Sequence, residues 1–368
     1  MGSTIDLQNA ALILVVTRTL LARMEVMVDL AETQGQSLES PPVFPYRFTS
    51  DGRLRHQVTK EPFMFQFRRG CDLDVTQMEE EALCLHVTQH VHTLLEEELH
   101  LSRLYLPPPP AGQQGDNGDN PRPHQGATCL GYVYLSPGAL ESPTTLLVVV
   151  QDWGTVHCGL WSWRAAASQG LESGSMIPYV RRALDEGSSV LLTNPNQGRA
   201  GETPEEHVHR VWDLIASRCS SSRVMVVAHG YGGLAFVDLL CRHPQEVVKQ
   251  VGAVAFLDSS HSLWHQPLDL AGREWLRTHS RRWAKVLCHR WVLSSKPLNQ
   301  PVGSLKAGCL QISAGTQRHE AAPSVCMDSV FRFFSKMLCP KPPSTFSIVT
   351  RSRGQVRPHR GRDAMGAL

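Results

Sequence analysis

The residues with the clearest chemical meaning stand where an apolar segment, Val224–Val227, runs into a glycine-rich turn and then a helical pattern. The turn consists of Ala228, His229, Gly230, Tyr231 and Gly232. A strand, a sharp turn and a helix in this order present a nucleophilic serine when the turn reads G-x-S-x-G. Here the centre is Gly230, which has no side-chain oxygen, so no acyl-enzyme can form there. The pattern predicts the backbone of a nucleophile turn without its nucleophile.

A phosphate-binding loop is the alternative interpretation of this turn. Nucleotide-binding loops need G-x-G-x-x-G or a Walker lysine, and neither is present around Gly230. The order of strand, turn and helix therefore favours a degenerate nucleophile turn.

A catalytic acid and base would follow the nucleophile, in the chain order serine, acid, histidine. His319 lies in a loop after the last apolar segment, and we interpret it as the relic of a base; an ordinary exposed histidine is the alternative. Asn299 holds the acid position, but an amide cannot stabilise an imidazolium by charge. Asp258 follows the apolar segment Val251–Leu257 and is the other candidate acid, although an aspartate that ends a strand is commonly only a cap.

The loop after the first core strand, Leu146–Val150, would supply an oxyanion hole in such an enzyme. It contains Asp152, Trp153 and Gly154, so two bulky residues precede its glycine. Together with Trp161, these residues are candidates for the walls of a pocket that persists without chemistry. The alternative is that the tryptophans belong only to the core.

A displaced nucleophile is the alternative to an inactive site. Ser259 and Ser260 stand beside Asp258. For either serine to act, its hydroxyl must lie within hydrogen-bond reach of His319. The chain would then be a serine hydrolase; otherwise it is a pseudo-hydrolase.

The composition is that of an ordinary globular chain of 368 residues, 42% hydrophobic and 19% charged. Its formal net charge of +2 creates no global field that demands nucleic acid or a membrane surface. Ten cysteines without a C-x-x-C pair favour a reduced, nuclear or cytoplasmic protein. The apolar segment Ala10–Leu21 has no basic residue before it and is interrupted by Arg18, so we expect neither a secretory signal nor a membrane span.

Changes in composition divide the chain into five zones. They are an apolar helical leader (1–40), a small N-terminal α+β lobe (41–106), a proline- and glycine-rich linker (107–127), an α/β core (128–338) and a basic, disordered tail (339–368). Within the lobe, Asp51 and Gly52 predict a hairpin turn between two alternating segments.

Short apolar runs alternate with amphipathic segments through the core. The strand candidates are Leu146–Val150, Val190–Leu192, Val224–Val227, Val251–Leu257 and Trp291–Leu293, with helices predicted near 178–186, 204–218, 233–241 and 269–278. This alternation predicts parallel strands joined by right-handed crossovers. Together with the turn at Gly230, it predicts an α/β fold with an α/β-hydrolase-like parallel sheet.

No metal ion or cofactor is predicted. His86 and His90 share one face of a predicted helix, as zinc ligands can. However, no glutamate directly follows His86, and no third ligand follows at a recognised spacing. We interpret these histidines as part of a solvated polar face.

The tail is rich in basic residues. They are Lys341, Arg351, Arg353, Arg357, Arg360 and Arg362, against one acid, Asp363. Such a segment could contact RNA, DNA or an import receptor. The alternative is a solvated terminus without a partner, because Phe346 is its only aromatic residue.

Several motifs together resemble the Argonaute-binding-protein-two domain family, whose vertebrate members are called cotranscriptional regulators. The matching stretches are Asp51–His56, Glu61–Phe63, Ile177–Ala183, Leu192–Asn196, Pro204–His207, Ala228–Phe236, Trp264–Gln266 and Ser313–Glu320. The resemblance spans roughly residues 43 to 338. It implies a scaffold or regulator in nuclear RNA-linked processes, such as small-RNA-directed gene silencing, chromatin repression or RNA splicing. The partners it implies are Argonaute or chromatin-associated proteins.

The chain departs from this family at three positions that bear on catalysis. Relatives commonly read A-H-S-Y-G-G where this chain has Gly230, and S-S-x-P-L-D where it has Asn299. They carry an H-G-containing loop where it has Asp152, Trp153 and Gly154. The resemblance therefore implies a regulator whose hydrolase machinery is further degraded than that of its relatives.

Overall fold

The structure is a computed structural model that describes part of the chain. The described residues are 44–65, 73–106, 131–141, 144–198, 201–219, 223–262, 265–277, 288–302 and 309–338. The predicted leader (1–40), linker (107–127) and tail (339–368) lie outside them.

Contacts between residues group the chain into two compact units. The first contains residues up to His100 together with Val156–Val180, and the second contains Leu101–Thr155 and Arg181 onward. This division differs from the predicted boundary between lobe and core at residues 106 to 128. The difference arises because Ser102–Tyr105 pairs as a strand with Tyr132–Leu135 of the second unit.

The first unit is built from a hairpin and helices. Its elements are β1 (Tyr46–Phe48), β2 (Leu54–His56), α1 (Leu73–Thr93) with a π-helical turn at Leu94–Glu98, α2 (Trp163–Gln169) and α3 (Leu171–Gly174). The antiparallel pairing of β1 with β2 confirms the predicted hairpin. Gly52 in its turn has a φ of +71°, a backbone conformation that glycine adopts without steric cost.

The second unit contains an eight-stranded sheet. In chain order its strands are β3 (Ser102–Tyr105), β4 (Tyr132–Leu135), β5 (Leu146–Val150), β6 (Ser189–Leu192), β7 (Val224–His229), β8 (Val251–Leu257), β9 (Cys288–Val292) and β10 (Leu310–Ser313). Across the sheet the order is β3-β4-β6-β5-β7-β8-β9-β10. In this order across the sheet, the strands β6, β5, β7, β8, β9 and β10 are parallel. Strand β4 is antiparallel to both of its neighbours. The predicted α/β-hydrolase-like parallel sheet is confirmed.

Helices connect the strands of this sheet. They are α4 (Ile177–Asp185), α5 (Pro204–Arg218), α6 (Tyr231–Arg242), α7 (Pro244–Gln250), α8 (Leu270–Arg277) and α9 (Ala322–Leu338), with 3-10 turns at Pro195–Gln197 and His319–Ala321. Within the residues that the structure describes, no helix combines the length and apolar character needed to cross a bilayer.

The central strands are buried along their whole length. Every residue of β5, β6 and β7 is buried, as expected of parallel strands that are covered on both faces. Val148 and Val226 from these strands belong to the same apolar core as Ile215 and Phe236 from α5 and α6. Since parallel strands end at the same edge of a sheet, the loops that follow β5, β7, β8 and β10 start from one edge.

The start of α5 allows a direct test of how local sequence stabilises this unit. The Thr203 hydroxyl accepts a hydrogen bond from the Glu206 amide at 3.2 Å, and the Glu206 carboxylate accepts one from the Thr203 amide at 2.9 Å. We expect Thr203→Ala to lower the free energy of unfolding by about 1 kcal/mol, because the Glu206 amide loses the hydroxyl that accepts its hydrogen bond. Urea denaturation measures the change. Ser217→Ala on the exposed last turn of α5 is the control, with an expected change within about 0.5 kcal/mol; equal effects would contradict the prediction.

Candidate functional site

Four loops at one edge of the sheet bring together the predicted site residues. Asp152 follows β5, Gly230 follows β7, Asp258 follows β8, and His319 lies in the segment after β10. Hydrogen bonds join all four loops.

Gly230 forms the sharp turn between β7 and α6. Its backbone has a φ of +52° and a ψ of −121°, and its amide donates to the Leu257 carbonyl at 3.1 Å. A Cβ atom placed on Gly232 would overlap the carbonyl oxygens of Val150 and Gln151, so the turn approaches β5 closely. The turn therefore has the strained, tightly packed backbone that presents a nucleophile in active relatives of this fold.

The carboxylate of Asp152 fills the space in front of Gly230. A Cβ atom on Gly230 would overlap the carboxyl carbon and both oxygens of Asp152. Oδ1 of Asp152 accepts hydrogen bonds from the backbone amides of Tyr231, at 2.6 Å, and Trp153, at 2.9 Å. The amide after the nucleophile is an oxyanion-hole donor in hydrolases of this fold. The carboxylate thus occupies the place of a nucleophile side chain. It also accepts the hydrogen bond of the Tyr231 amide, which would otherwise face a reacting oxyanion.

The loop that carries Asp152 is held by Asn196. The Asn196 side chain donates to the Asp152 carbonyl at 2.9 Å and accepts from the Gly154 amide at 3.0 Å. These two bonds fix the loop at both ends of Trp153, so Asp152 is presented from a rigid support.

His319 lies between two carboxylates. Its Nδ1 is 2.7 Å from Oδ2 of Asp258, and its Nε2 is 2.9 Å from Oδ2 of Asp152. An imidazole ring donates from both nitrogens only when it is protonated. The hydrogen bond to Asp152, followed by that to Asp258, raises the pKa of His319 to about 10 against the opposing effect of burial. His319 is therefore an imidazolium at neutral pH.

The neighbouring groups are consistent with this charge state. Burial opposes ionisation of Asp152, but hydrogen bonds from His319 and from the Tyr231 amide hold the pKa of this carboxyl below its ordinary value. Burial, followed by the charge of His319, lowers the pKa of His229 to about 4. The neutral His229 ring stacks on His319 with centroids 4.2 Å apart.

Of the two candidate acids, the structure places Asp258 and not Asn299 against His319. Asn299 accepts a hydrogen bond from the Trp291 indole at 3.0 Å and donates one to the Ser329 hydroxyl at 2.8 Å. Asp258 directly follows β8 and has a φ of +40°, in the left-handed region. The side-chain amide of Asn299, at one of the predicted acid positions, therefore contacts Trp291 and Ser329 and not His319.

The candidate displaced nucleophiles are not joined to His319. The Ser259 hydroxyl lies 2.6 Å from Nδ1 of His261, and both residues are buried. Both ring nitrogens of His319 face carboxylates, so within the described residues no hydrogen bond links this ring to Ser259 or to the exposed Ser260. These contacts therefore do not pair either serine with His319, the base that the displaced-nucleophile hypothesis requires.

The candidate pocket residues separate from one another. Trp153 is 56% exposed, and its ring centroid lies 5.4 Å from that of Tyr231. Trp161 belongs to the first unit, where it is buried and packs edge-on against Tyr179 at 5.2 Å. Asp152 was expected only as a pocket wall, and its role in replacing the nucleophile was missed. The sequence signal for this role was the combination of an aspartate, Asp152, after β5 and a glycine, Gly230, at the serine position of the turn.

Two sets of residues have donor atoms suited to a metal ion. Side-chain donors of Asp152, His229 and His319 lie within 4.8 Å of one another. The two imidazole rings are nearly parallel, however, with 21° between their planes, whereas two ligands of one ion direct their lone pairs to a common point. His86 and His90 lie against the rings of Phe44 and Phe48, with centroids 4.4 and 4.5 Å apart. The absence of a metal from the chain's function stays a prediction.

The overlap between Asp152 and a side chain at position 230 predicts a specific energetic coupling. We expect Gly230→Ala to lower the free energy of unfolding by about 3 kcal/mol or more, because a positive φ and the overlap both add strain. Asp152→Ala removes the overlap, so the double variant should be more stable than the sum of the single changes predicts, by about 1 kcal/mol or more. Urea denaturation of all four proteins measures the coupling.

Gly187 provides the matched control for this cycle. It also has a positive φ, +76°, but a Cβ atom there would meet nothing within 4 Å. Gly187→Ala should cost only about 1–2 kcal/mol, and Asp152→Ala should not alter that cost. Equal coupling of Asp152 to both glycines would refute the steric account.

The charge state of His319 predicts how stability changes with pH. A group whose pKa is raised in the folded state stabilises the fold fully below its unfolded pKa, near 6.5, and loses this contribution as the pH rises toward about 10. The advantage of the wild-type protein over His319→Gln should therefore be present at pH 6 and decline through pH 8 to 10. The lowered pKa of Asp152 has the opposite sign, so its contribution is lost as the pH falls below about 4. Urea denaturation of the two proteins from about pH 3 to about pH 10 tests both contributions; a difference in stability that does not change with pH would contradict them.

Comparisons with known proteins identify the family of this chain. The family model of the Arb2 domain matches residues 40–199 and 198–297. The "Cotranscriptional regulator ARB2A homolog" of Gallus gallus is 31% identical, covering 92% of this chain and 91% of that protein. The human "Cotranscriptional regulator ARB2A" is 30% identical, covering 85% and 84%. A histone deacetylase structure from Saccharomyces cerevisiae covers 74% of this chain and all of that chain at 15% identity, with a TM-score of 0.44. Because the family model covers most of the chain, the protein belongs to the Arb2 domain family.

Proposed function

We propose that this protein is a catalytically inactive, α/β-hydrolase-like regulator that acts through protein partners. The observation that carries the proposal is the Asp152 carboxylate, which occupies the space where the nucleophile side chain of a hydrolase would stand. A site filled by its own acid has no room for a reacting carbonyl at that point.

Each part that hydrolysis needs has another use in this site. No hydroxyl is present at Gly230. The Tyr231 amide, the expected oxyanion donor, is bonded to Asp152. His319 carries a proton on each nitrogen and so cannot accept one from a nucleophile. The loss is therefore distributed over nucleophile, oxyanion hole and base, and restoring one of them would not restore catalysis.

The relatives support a role in regulation of gene expression. Homologues covering most of the chain are named cotranscriptional regulators. By this kinship we extend the proposal to nuclear RNA processing or small-RNA-directed gene silencing, with Argonaute or chromatin-associated proteins as partners. The basic segment 339–368 would add contacts to RNA through its arginine and lysine side chains.

A serine hydrolase that uses Ser259 is the second candidate, favoured by the short Ser259–His261 contact. A base beside a serine hydroxyl is the pairing that activates such a nucleophile. Against it, both side chains are buried, and the Ser259 hydroxyl packs against the backbone of Gly233, where a Cβ atom would overlap it. Ser259 is therefore closed to a substrate in this structure.

Covalent labelling separates the two candidates. We expect a fluorophosphonate probe to leave the purified wild-type protein unlabelled, because no activated serine is accessible. Ser259→Ala and Ser260→Ala proteins are the controls, and both should match the wild type. Stoichiometric labelling of the wild type that disappears in either variant would establish a displaced nucleophile and end the proposal.

A further inference from the structure

An exposed tryptophan stands beside the degenerate nucleophile turn. Trp153, in the loop after β5, is 56% exposed, although tryptophan side chains are strongly buried on average. Its ring contacts that of Tyr231, the first residue of α6, with centroids 5.4 Å apart and 48° between the planes. The contact with Tyr231 therefore leaves more than half of Trp153 accessible to a ligand.

The hydrogen bonds of the site fix the backbone that carries these two rings. Oδ1 of Asp152 accepts from the Trp153 amide at 2.9 Å and from the Tyr231 amide at 2.6 Å. On the other side of Trp153, the Gly154 amide donates to Asn196 at 3.0 Å. One carboxylate thus sets the backbone positions of both aromatic residues. A surface that is already ordered loses less conformational entropy on binding than a mobile one.

Tyr231 connects the aromatic pair to a carboxylate. Its hydroxyl donates to Oε1 of Glu205, the second residue of α5, at 2.6 Å. Burial, followed by this hydrogen bond, raises the pKa of Tyr231, so the phenol keeps its proton and remains the donor. Both Tyr231 and Glu205 are half-buried. We call Trp153, Tyr231 and Glu205 together the aromatic–acid surface.

Glu205 gives this surface a negative charge that its neighbours do not neutralise. Glu202, three residues earlier, forms an ion pair with Arg210. Asp238 of α6 forms one with Arg242 at 3.1 Å. Within the part of the chain that the structure describes, no lysine, arginine or histidine forms an ion pair with Glu205. An exposed indole beside an unneutralised carboxylate is complementary to a cation.

We propose that the aromatic–acid surface binds an arginine side chain of a protein partner. The guanidinium plane lies on the exposed surface of Trp153 and donates to the Glu205 carboxylate. Tryptophan is the best aromatic partner for a cation, and arginine stacks on aromatic rings more often than lysine does. A guanidinium also matches a carboxylate with two parallel hydrogen bonds, a geometry that an ammonium group lacks. The inference rests on the proposed function, because it names the chemistry of a partner for the inactive site.

Three probes that share one backbone test this assignment on the full-length protein. They are the Nα-acetyl amides of arginine, of lysine and of citrulline, which is the neutral analogue of arginine. The readout is the indole N–H resonance of Trp153 in protein labelled with ¹⁵N-tryptophan, assigned with Trp153→Phe. We expect the arginine probe to shift this resonance with a dissociation constant roughly fivefold or more below that of the citrulline probe, since both a cation–π contact and an ion pair contribute. The buried Trp212 and Trp291 give control signals that should not move.

The outcomes of this titration are distinct. A Trp153 resonance that responds equally to arginine and citrulline, or to neither, would overturn the proposal. Binding of the lysine probe as tight as that of the arginine probe would refute the assignment to a guanidinium group. Fluorophosphonate labelling tests catalysis and this titration tests binding, so failure of the proposed function and failure of this inference are distinguishable.

A charge variant tests the role of Glu205. Glu205→Gln keeps an acceptor for the Tyr231 hydroxyl but removes the charge, so it should weaken the arginine probe roughly threefold or more and leave the citrulline probe unchanged. Asp213→Asn is the matched control, because Asp213 is an exposed acid of the same helix and its loss changes the net charge equally; it should bind like the wild type. Thermal melts verify that both variants are folded. Equal weakening by both variants would reduce the effect to net charge and contradict the proposal.

Discussion

When two carboxylates approach one imidazole ring, each at a different nitrogen, both can accept a hydrogen bond only if each nitrogen carries a proton. His319 is in this position between Asp152 and Asp258, and the rest of the site depends on the resulting charge. The hydrogen bond from His319 helps to hold the pKa of the partly buried Asp152 carboxyl below its ordinary value. Because the acids come from loops after two different strands, the same interaction connects β5, β8 and the segment after β10 at one edge of the sheet.

The Asp152 carboxylate fills the space that a nucleophile side chain would need at this turn. Gly230 retains a positive φ, and Gly232 retains its close approach to β5, although no serine is presented. A glycine at the centre is required here, because any side chain would overlap Asp152. The absence of a side chain at one position and the presence of an acid at the other are therefore two parts of one structural change. In this protein the loops at the edge of the α/β-hydrolase-like sheet hold His319 and Asp152 in an ion pair.

The parallel sheet and the turn at Gly230 could be predicted because both are encoded locally, by continuous apolar runs and by small residues around a sharp turn. The meeting of Asp258 with His319 was within reach, since both follow strands that end at one edge. The role of Asp152 was not, because it depends on where a side chain points and on the missing Cβ atom of Gly230. The edge strand β3 was missed because three of its four residues are exposed, so it lacks the continuous apolar run that marks the central strands.

The nitrogen chemical shifts of the His319 ring at pH 8 test directly whether the ring is an imidazolium between the two carboxylates. Isotope-labelled wild-type protein, with the His319→Gln protein used for assignment, reports the protonation of each ring nitrogen. We expect both nitrogens to carry protons at this pH, because Asp152 and Asp258 each accept a hydrogen bond from the ring. A neutral ring, with one nitrogen free to act as a base, would contradict it.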